Sequence, residues 1–172
     1  MKKISSLLIV CFSILFFAAC KKESDGGGSN YFIKATVDGT EKNYTIYPLA
    51  TKLDQNNTYS IVGSASGNVS TGEGLGFQIT QNGTPITAGT YTDGLGGGTY
   101  AIAATYNPGT TDLSAIFGAG LQLSDNAPLT IVITDISDSK VSGTFSGEFF
   151  DNSGTGTNSI MITNGQFNLP IQ

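Results

Sequence analysis

The chain contains no histidine, no arginine and no tryptophan, and only two of its 172 residues are cysteines. Without histidine, Ser-His-Asp and Cys-His catalysis are excluded in their usual forms. Zinc and most transition-metal sites lose their imidazole ligands as well. Without arginine, no guanidinium can bind a phosphate or a carboxylate bidentately. The composition therefore predicts a protein that is not an enzyme and that holds no cofactor or metal.

The first segment has the three parts of a secretory signal. Residues 1–3 begin it with two lysines, residues 4–17 are mostly apolar, and Ala18 and Ala19 are the small residues that precede a processing site. The apolar run is shorter than the roughly 20 residues that a membrane-spanning helix needs. We therefore expect residues 1–19 to be removed on export.

The two cysteines differ in their relation to this signal. Cys11 lies within it, so the exported chain would keep Cys20 alone, and an unpaired cysteine in an exported protein requires an explanation. The sequence FAAC after a short apolar run resembles the lipobox of bacterial lipoproteins, whose cysteine is acylated and becomes the first residue of the mature chain. The resemblance implies that Cys20 carries fatty acyl chains, palmitate among them, and two or more such chains anchor a protein stably.

A linker that begins with the lipidated Cys20 covers residues 20–30, which are charged and then glycine-rich. Ten flexible residues span roughly 17 Å, so the folded body would stay close to the membrane. An aspartate directly after the lipidated cysteine resembles an inner-membrane retention signal. This chain has Lys21 at that position, which implies the outer membrane. Glu23 and Asp25 are similar to the acidic tract of some surface-displayed Bacteroidota lipoproteins. Both the periplasmic and the cell-surface face stay open.

Residues 31–172 are predicted to form a single all-β domain. Apolar and polar residues alternate, as in Leu75–Thr80, and no segment has a convincing helical period. Turn signals such as Asp38-Gly39 separate these segments. Their spacing favours an antiparallel β-sandwich of about nine to ten strands, and the alternative is a closed up-and-down β-barrel.

Three segments carry finer expectations. The pair Asn164-Gly165 is predicted to turn between two strands, and Leu113–Ser124 is either a strand or a short helical turn. In Val141–Phe150 the apolar side chains share one face with Gly143 and Gly147, which would leave room for large side chains opposite.

Two glycine clusters, GEGLGF at 72–77 and GLGGG at 94–98, invite comparison with phosphate-binding loops. That motif requires a strand that enters a helix at a defined spacing, and neither is present. We expect both clusters to be mobile loops or bulges.

The order of the segments carries a second resemblance. The stretches ATVDGTEKNY, PITAGTYT, LTIVITDISDSKVSGTFSGEFF and ITNGQFNLPI resemble a family of uncharacterised Bacteroidota lipoproteins. In that family an x-V-D-G hairpin, a G-T-Y strand, an S-G-T-F strand and a terminal T-N-G-x-F strand recur. The resemblance covers most of Phe32–Ile171 and implies an all-β lipoprotein of the cell envelope, but no catalytic residue.

Acidic side chains are the remaining catalytic option, since glycoside hydrolysis needs only two carboxyl groups that flank the bond. Glu148 lies within a predicted strand, on the face expected to meet solvent. Asp135, Asp138 and Asp151 lie at strand ends or turns, where aspartate commonly bonds the local backbone. The loop Asp151–Asn158 is rich in oxygen ligands and is read as a hairpin loop, with a weak calcium site as the alternative.

Six tyrosines are candidate binding residues, because an aromatic ring combines an apolar face with a polar tip. A binding role would gather their exposed rings on one face, and the alternative is that they close the edges of the core. The candidates are Tyr44, Tyr47, Tyr59, Tyr91, Tyr100 and Tyr106.

The predicted function is a lipid-anchored, non-enzymatic binding or structural module of the cell envelope. Its expected partners are the membrane, through the lipid, and a glycan or an envelope protein. Six lysines would remain against 13 acidic residues after removal of the signal, which argues against nucleic-acid binding. The alternatives are a carboxylate-pair glycoside hydrolase and a barrel that binds an apolar small molecule in its cavity.

Overall fold

The computed structural model describes residues 31–55, 58–66, 72–94, 99–120, 126–152 and 158–172. The described residues belong to one compact unit, Tyr31–Gln172. The predicted signal, Cys20 and the linker lie outside the described residues. In the part of the chain that the structure describes, no helix has the length and apolar character needed to cross a membrane.

Eleven antiparallel strands make the domain all-β, as the alternating pattern predicts, and a 3₁₀ turn at Leu113–Ala115 is the one helical element in the described ranges. The strands are β1 (Phe32–Val37), β2 (Thr40–Tyr44), β3 (Leu49–Gln55), β4 (Thr58–Ser66), β5 (Glu73–Asn82), β6 (Gly89–Thr92), β7 (Tyr100–Pro108), β8 (Phe117–Gly120), β9 (Thr130–Ile136), β10 (Lys140–Asp151) and β11 (Ser159–Pro170).

All eleven strands belong to one hydrogen-bonded sheet. Nine follow the order β2-β1-β11-β10-β8-β7-β5-β4-β3, while β9 pairs with β10 and β6 pairs with β9. The main sheet curls through 265° into a half-barrel and does not close. The closed barrel is therefore wrong, and one curled sheet replaces the two sheets of the predicted sandwich. Long strands with β-bulges, which bend and twist a sheet, allow this curvature.

The pair Asn164-Gly165 forms a β-bulge inside β11, and the turn that the sequence predicts there is wrong. The register of β11 shifts at this point against both β1 and β10. Asn164 has φ +52°, a left-handed conformation that asparagine tolerates better than most residues. Turn chemistry and bulge chemistry use the same residues, so the local sequence does not distinguish them.

Strand β3 is absent from the predicted set, because its residues beyond Thr51 are exposed and show no alternation. The cluster GEGLGF is likewise not a loop, since Glu73–Asn82 is a regular strand. Of the second cluster, residues 95–98 lie outside the described residues. Both predictions for Leu113–Ser124 hold for part of it, since the 3₁₀ turn is followed by strand β8, while residues 121–124 lie outside the described residues.

The hairpin at Asp38-Gly39 is confirmed. Strands β1 and β2 pair antiparallel on either side of it. Both turn residues have positive φ, +44° at Asp38 and +78° at Gly39, as a two-residue type I′ turn requires.

The core fills the concave side of the curled sheet. A Cβ on Gly143 would lie 2.6 Å from Cζ of Phe167, so the predicted room opposite this glycine is taken up by an aromatic ring. The ring of Phe77 lies 4.6 Å from that of Phe167 and 6.3 Å from that of Phe145, between centroids. Aromatic and aliphatic side chains from both sides of the curl thus meet in the interior.

Candidate functional site

The six candidate tyrosines do not form an exposed face. Tyr47 alone among them is exposed, at 84%. Three are buried and two are half-buried against the core: Tyr44, Tyr91 and Tyr106, and Tyr59 and Tyr100, respectively. The gathered stacking surface that the sequence hypothesis requires is therefore not built from these rings.

Tyr91 and Tyr100 serve the fold. The hydroxyl of Tyr91 donates to the Thr87 carbonyl at 2.8 Å and accepts from the Thr87 amide at 3.1 Å. Tyr100 bonds both backbone groups of Thr92 in the same way, at 3.1 and 3.0 Å. The two rings meet edge to face with centroids 5.1 Å apart. The pair fastens β6 and the loop before it to β7, as the core-edge alternative predicts.

Tyr44 and Tyr106 converge on a carboxylate that the sequence hypothesis did not include. Both hydroxyls donate to Oε1 of Glu73, at 3.0 Å from Tyr44 and 2.7 Å from Tyr106. The ammonium of Lys42 lies 3.1 Å from Oε2. We call these four residues the Glu73 cluster.

Strand parity places the Glu73 cluster on the concave side. Glu73 lies two residues before Leu75, whose side chain is buried, and Lys42 lies two residues before Tyr44 on β2. Residues two apart on a strand share a face. The curl of the sheet then places β2 across the core from the start of β5. Tyr106 on β7 lies next to that start, because it pairs with Leu75 on β5.

Within the cluster the pKa of Glu73 is lowered, and the pKa values of its two tyrosine partners are raised. Burial acts to raise the pKa of Glu73, but hydrogen bonds from Tyr106, Lys42 and Tyr44 and the charge of Lys42 outweigh it and lower that pKa. Burial, together with the charge and hydrogen bond of Glu73, raises the pKa of Tyr44 and of Tyr106. At neutral pH the cluster holds an ionised acceptor and two protonated donors, an arrangement suited to structure.

The signal that could have found Glu73 is its parity. It continues the inward positions Leu75, Phe77 and Ile79 at the same spacing of two residues. An acidic residue at an inward position needs partners, and tyrosine hydroxyls and a lysine are suitable ones. The glycines beside Glu73 indicate a loop or a bulge instead.

Three of the four acids singled out in the sequence, Glu148, Asp135 and Asp151, have local partners. Glu148 accepts a hydrogen bond from Ser159 Oγ at 2.8 Å, and Asp135 pairs with Lys140 at 2.8 Å. Asp151 accepts from Asn158 Nδ2 at 2.6 Å. Residues 153–157 of the considered calcium loop lie outside the described residues. Among those described, no three His, Cys, Asp or Glu residues are grouped as metal ligands would be.

Two adjoining clefts mark the convex face of the sheet, with volumes of about 440 and 310 Å³. Asn164 and Gln166 line both, and we call the combined depression the outer groove. The first cleft is lined by Lys34, Ala35, Thr36, Glu41, Lys42, Asn43, Asn164 and Gln166. The second is lined by Thr130, Val132, Thr144, Phe145, Ser146, Asn164, Gly165 and Gln166.

A third cleft of about 280 Å³ opens beside the Glu73 cluster. It is bounded by the end of β2 and the loop after that strand, including the half-exposed Ile46. Glu73 is the one acidic residue in its lining, as Glu41 is in the outer groove. Each of the three clefts therefore offers a single carboxylate at most.

Comparisons of the chain with protein-family models, with curated proteins and with solved structures found no match.

Proposed function

We propose that the chain is a lipid-anchored protein of the outer membrane whose all-β domain is a non-enzymatic binding or structural module. The anchor is proposed from the sequence, through the apolar signal, the FAAC motif and the lone Cys20. The charged, glycine-rich linker after Cys20 would hold the domain close to the bilayer. Glycans and envelope proteins are the partner classes that this position offers.

The observation that carries the module function is the state of the Glu73 cluster. The Glu73 carboxylate is fully engaged by Tyr44, Tyr106 and Lys42. A catalytic acid or base needs a pKa near the working pH and a path to substrate. The pKa of Glu73 is instead lowered and those of its tyrosine partners are raised, so all three are shifted away from neutral pH. The cluster fastens β2 to β5 and β7.

The two alternatives find less support. A glycoside hydrolase needs two carboxyl groups within roughly 5–10 Å on either side of a bond, and the three described clefts contain one acid or none. A carrier of apolar molecules needs a cavity, whereas Phe77, Phe145 and Phe167 meet in the described interior.

The anchor is tested by metabolic labelling with an alkyne analogue of palmitate. Label is expected on the wild-type protein and on Cys11→Ala, and it should be absent from Cys20→Ala. Cys11→Ala is the matched control, since it removes the other cysteine without touching the proposed acylation site. Labelling that persists in Cys20→Ala would overturn the anchor. Protease treatment of whole cells then distinguishes the cell-surface from the periplasmic face.

The module function is tested by the chemistry of the purified protein. Incubation with polysaccharides should leave their chain length unchanged, while retention on one immobilised polysaccharide or envelope protein is expected. Release of reducing ends that disappears on substitution of one acid would establish a hydrolase and overturn the proposal.

A further inference from the structure

We propose that the outer groove binds a short neutral oligosaccharide that lies across the five adjacent strands β2, β1, β11, β10 and β9. This rests on the proposed binding function and names the substrate class and the face that would bind it. The observations are a row of hydrogen-bonding side chains, a β-bulge whose Asn164 lines both clefts, and a near-neutral lining.

The row arises from the strand register. Lys34 on β1 lies opposite Asn43 on β2 and opposite Gln166 on β11. Gln166 lies opposite Thr144 on β10, which in turn lies opposite Val132 on β9. Directly opposed residues point to the same face, so these side chains line one path over five strands. Four interstrand spacings make the path roughly 19 Å long, longer than a single sugar ring.

The bulge in β11 joins the two clefts into one groove. Asn164, in its left-handed conformation, lines both clefts, and its Nδ2 lies 3.4 Å from Thr36 Oγ1. A Cβ on Gly165 would lie 2.3 Å from the Phe145 carbonyl oxygen, so no side chain can stand at that point. Bulges are over-represented beside binding and active sites, where they redirect a side chain. Here the bulge directs the Asn164 amide to the middle of the groove.

The lining chemistry suits neutral hydroxyl groups. Asn43, Asn164 and Gln166 each carry a donor and an acceptor on one planar amide, which matches two neighbouring sugar hydroxyls. The charges nearly cancel, because Lys34 shares the first cleft with Glu41, while the ammonium of Lys42 is turned to the concave side, 3.1 Å from Glu73 Oε2. A groove without net positive charge gives little attraction for acidic polysaccharides or nucleic acids.

The same lining argues against a protein partner. Protein interfaces take most of their affinity from Trp, Tyr and Arg side chains seated in pockets. Tyrosine is the one of these three types that the chain contains, and the residues that line the outer groove include none. The exposed Tyr47 lies in the loop after β2, outside both clefts. The volumes of about 440 and 310 Å³ lie in the range of small-ligand sites.

The test is titration calorimetry on the full-length protein in a polyoxyethylene detergent, which carries no sugar. The probes are neutral oligosaccharides of glucose, mannose, galactose or xylose, and oligogalacturonate as the acidic comparison. We expect at least one neutral probe to bind. Loss of one hydrogen bond in Gln166→Ala, Asn43→Ala or Asn164→Gly should then raise its Kd about two- to tenfold.

The matched control is Gln78→Ala, because Gln78 is an exposed glutamine on the outer face of β5 and lines neither cleft. It should leave the Kd unchanged. Asn164→Gly is chosen because glycine adopts positive φ without strain, so the bulge is kept and the amide is lost. Thermal unfolding of each variant shows whether a change in Kd accompanies a loss of fold. Asn43→Ala and Gln166→Ala change side chains outside the bulge, so they test the groove independently of it.

The outcomes separate this proposal from the proposed function. A neutral probe that binds the groove variants as tightly as the wild type overturns the groove assignment and leaves glycan binding standing. Absence of binding to every neutral probe, or binding of the acidic probe alone, overturns the neutral-oligosaccharide assignment. Retention of an envelope protein in its place would do so too, while keeping the binding module. Acylation at Cys20 is read independently by the labelling experiment.

Discussion

Glu73 on β5 links strands β2 and β7 across the curled sheet. Its carboxylate accepts hydrogen bonds from Tyr44 on β2 and from Tyr106 on β7, and Lys42 neutralises it at 3.1 Å. An inward-facing carboxylate without partners would be strongly unfavourable. Each tyrosine therefore satisfies the acid and packs its ring on the core, so that one cluster both neutralises a charge and joins distant strands.

The first prediction concerns these hydrogen bonds. Tyr106→Phe should lower the free energy of unfolding by about 1–3 kcal/mol, because it removes a hydrogen bond to a charged acceptor and leaves the ring in place. Tyr44→Phe should act in the same direction. Urea unfolding measures both. The control is Tyr47→Phe, which changes an exposed hydroxyl and should stay within about 0.5 kcal/mol of the wild type. Equal effects at Tyr47 and Tyr106 would contradict the role assigned to the cluster.

The second prediction concerns acid. The pKa of Glu73 is lowered in the folded state from its ordinary 4.5, so its stabilisation is complete above that value and is lost as the pH falls below it. Glu73→Gln should therefore flatten the acid side of the stability profile, measured as the urea midpoint against pH. Asp112, whose pKa is lowered by hydrogen bonds from Ser114, contributes to the slope of both proteins. The difference between the two profiles thus isolates Glu73.

The third prediction concerns alkali. The pKa values of Tyr44 and Tyr106 are raised above the ordinary 10.0, so both contributions are complete below pH 10.0 and are lost as the pH rises further. The unfolded chain releases these protons first, and stability should fall in that range. Tyr44→Phe and Tyr106→Phe should each make the alkaline slope shallower. An alkaline slope that is unchanged in both variants would contradict the raised pKa values.

At the scale of elements, β10 and β11 organise the domain. Each has 12 residues, and β10 pairs with β9 through one part and with β8 through its end. The bulge at Asn164 bends β11 between its two halves. A long strand that changes partners lets one sheet enclose a core from several sides, which two short flat strands could not do.

The fourth prediction concerns the contact between these strands. A Cβ on Gly143 would lie 2.0 Å from the Val132 carbonyl oxygen and 2.6 Å from Phe167 Cζ. The carbonyl belongs to a paired strand and cannot move aside, so Gly143→Ala should destabilise the domain by about 3 kcal/mol. The matched control is Gly89→Ala on β6, where a Cβ would meet nothing within 4 Å. It should change stability by less than about 1 kcal/mol. Thermal or urea unfolding compares the two.

At the scale of the whole molecule, the half-barrel stays open, and β3 is one of its edge strands. Strand β3 pairs with β4 along its length, and on its other side the described contacts are at Ala50. That residue forms a parallel bridge with Ile171 and accepts a hydrogen bond from the Gln172 amide at 3.0 Å. Ile171 and Gln172 therefore hold one edge of the curled sheet.

The fifth prediction concerns that fastening. Removal of residues 171–172 should speed amide hydrogen exchange in Leu49–Gln55, because the edge strand loses its second neighbour at Ala50. Exchange in β10, which has neighbours on both sides, should not change. Mass spectrometry of exchange in the full and shortened chains makes the comparison. Equal acceleration in both strands would mean that the terminus stabilises the whole domain and not one edge.

The sequence predicted those parts of the fold that depend on neighbouring residues. Strand alternation, the Asp38-Gly39 turn and the inward face of β10 are local, because side-chain parity and positive φ act within a few residues. The exposed edge strand β3 escaped prediction, since nothing on it alternates. At Asn164 the sequence predicts a turn and the structure has a bulge, because the same residues suit both.

The sequence by itself determined that the domain is all-β, that common histidine and arginine chemistry is absent, and where its alternating faces lie. The proposed acylation of Cys20 also comes from sequence alone. The tertiary structure decided how many sheets there are, that the sheet stays open, and that Tyr44 and Tyr106 meet Glu73. The physical reason is distance along the chain: 29 residues separate Tyr44 from Glu73 and 33 separate Glu73 from Tyr106. The conformational preferences of neighbouring residues cannot specify contacts between residues so far apart in the chain. The curl of the whole sheet brings them together.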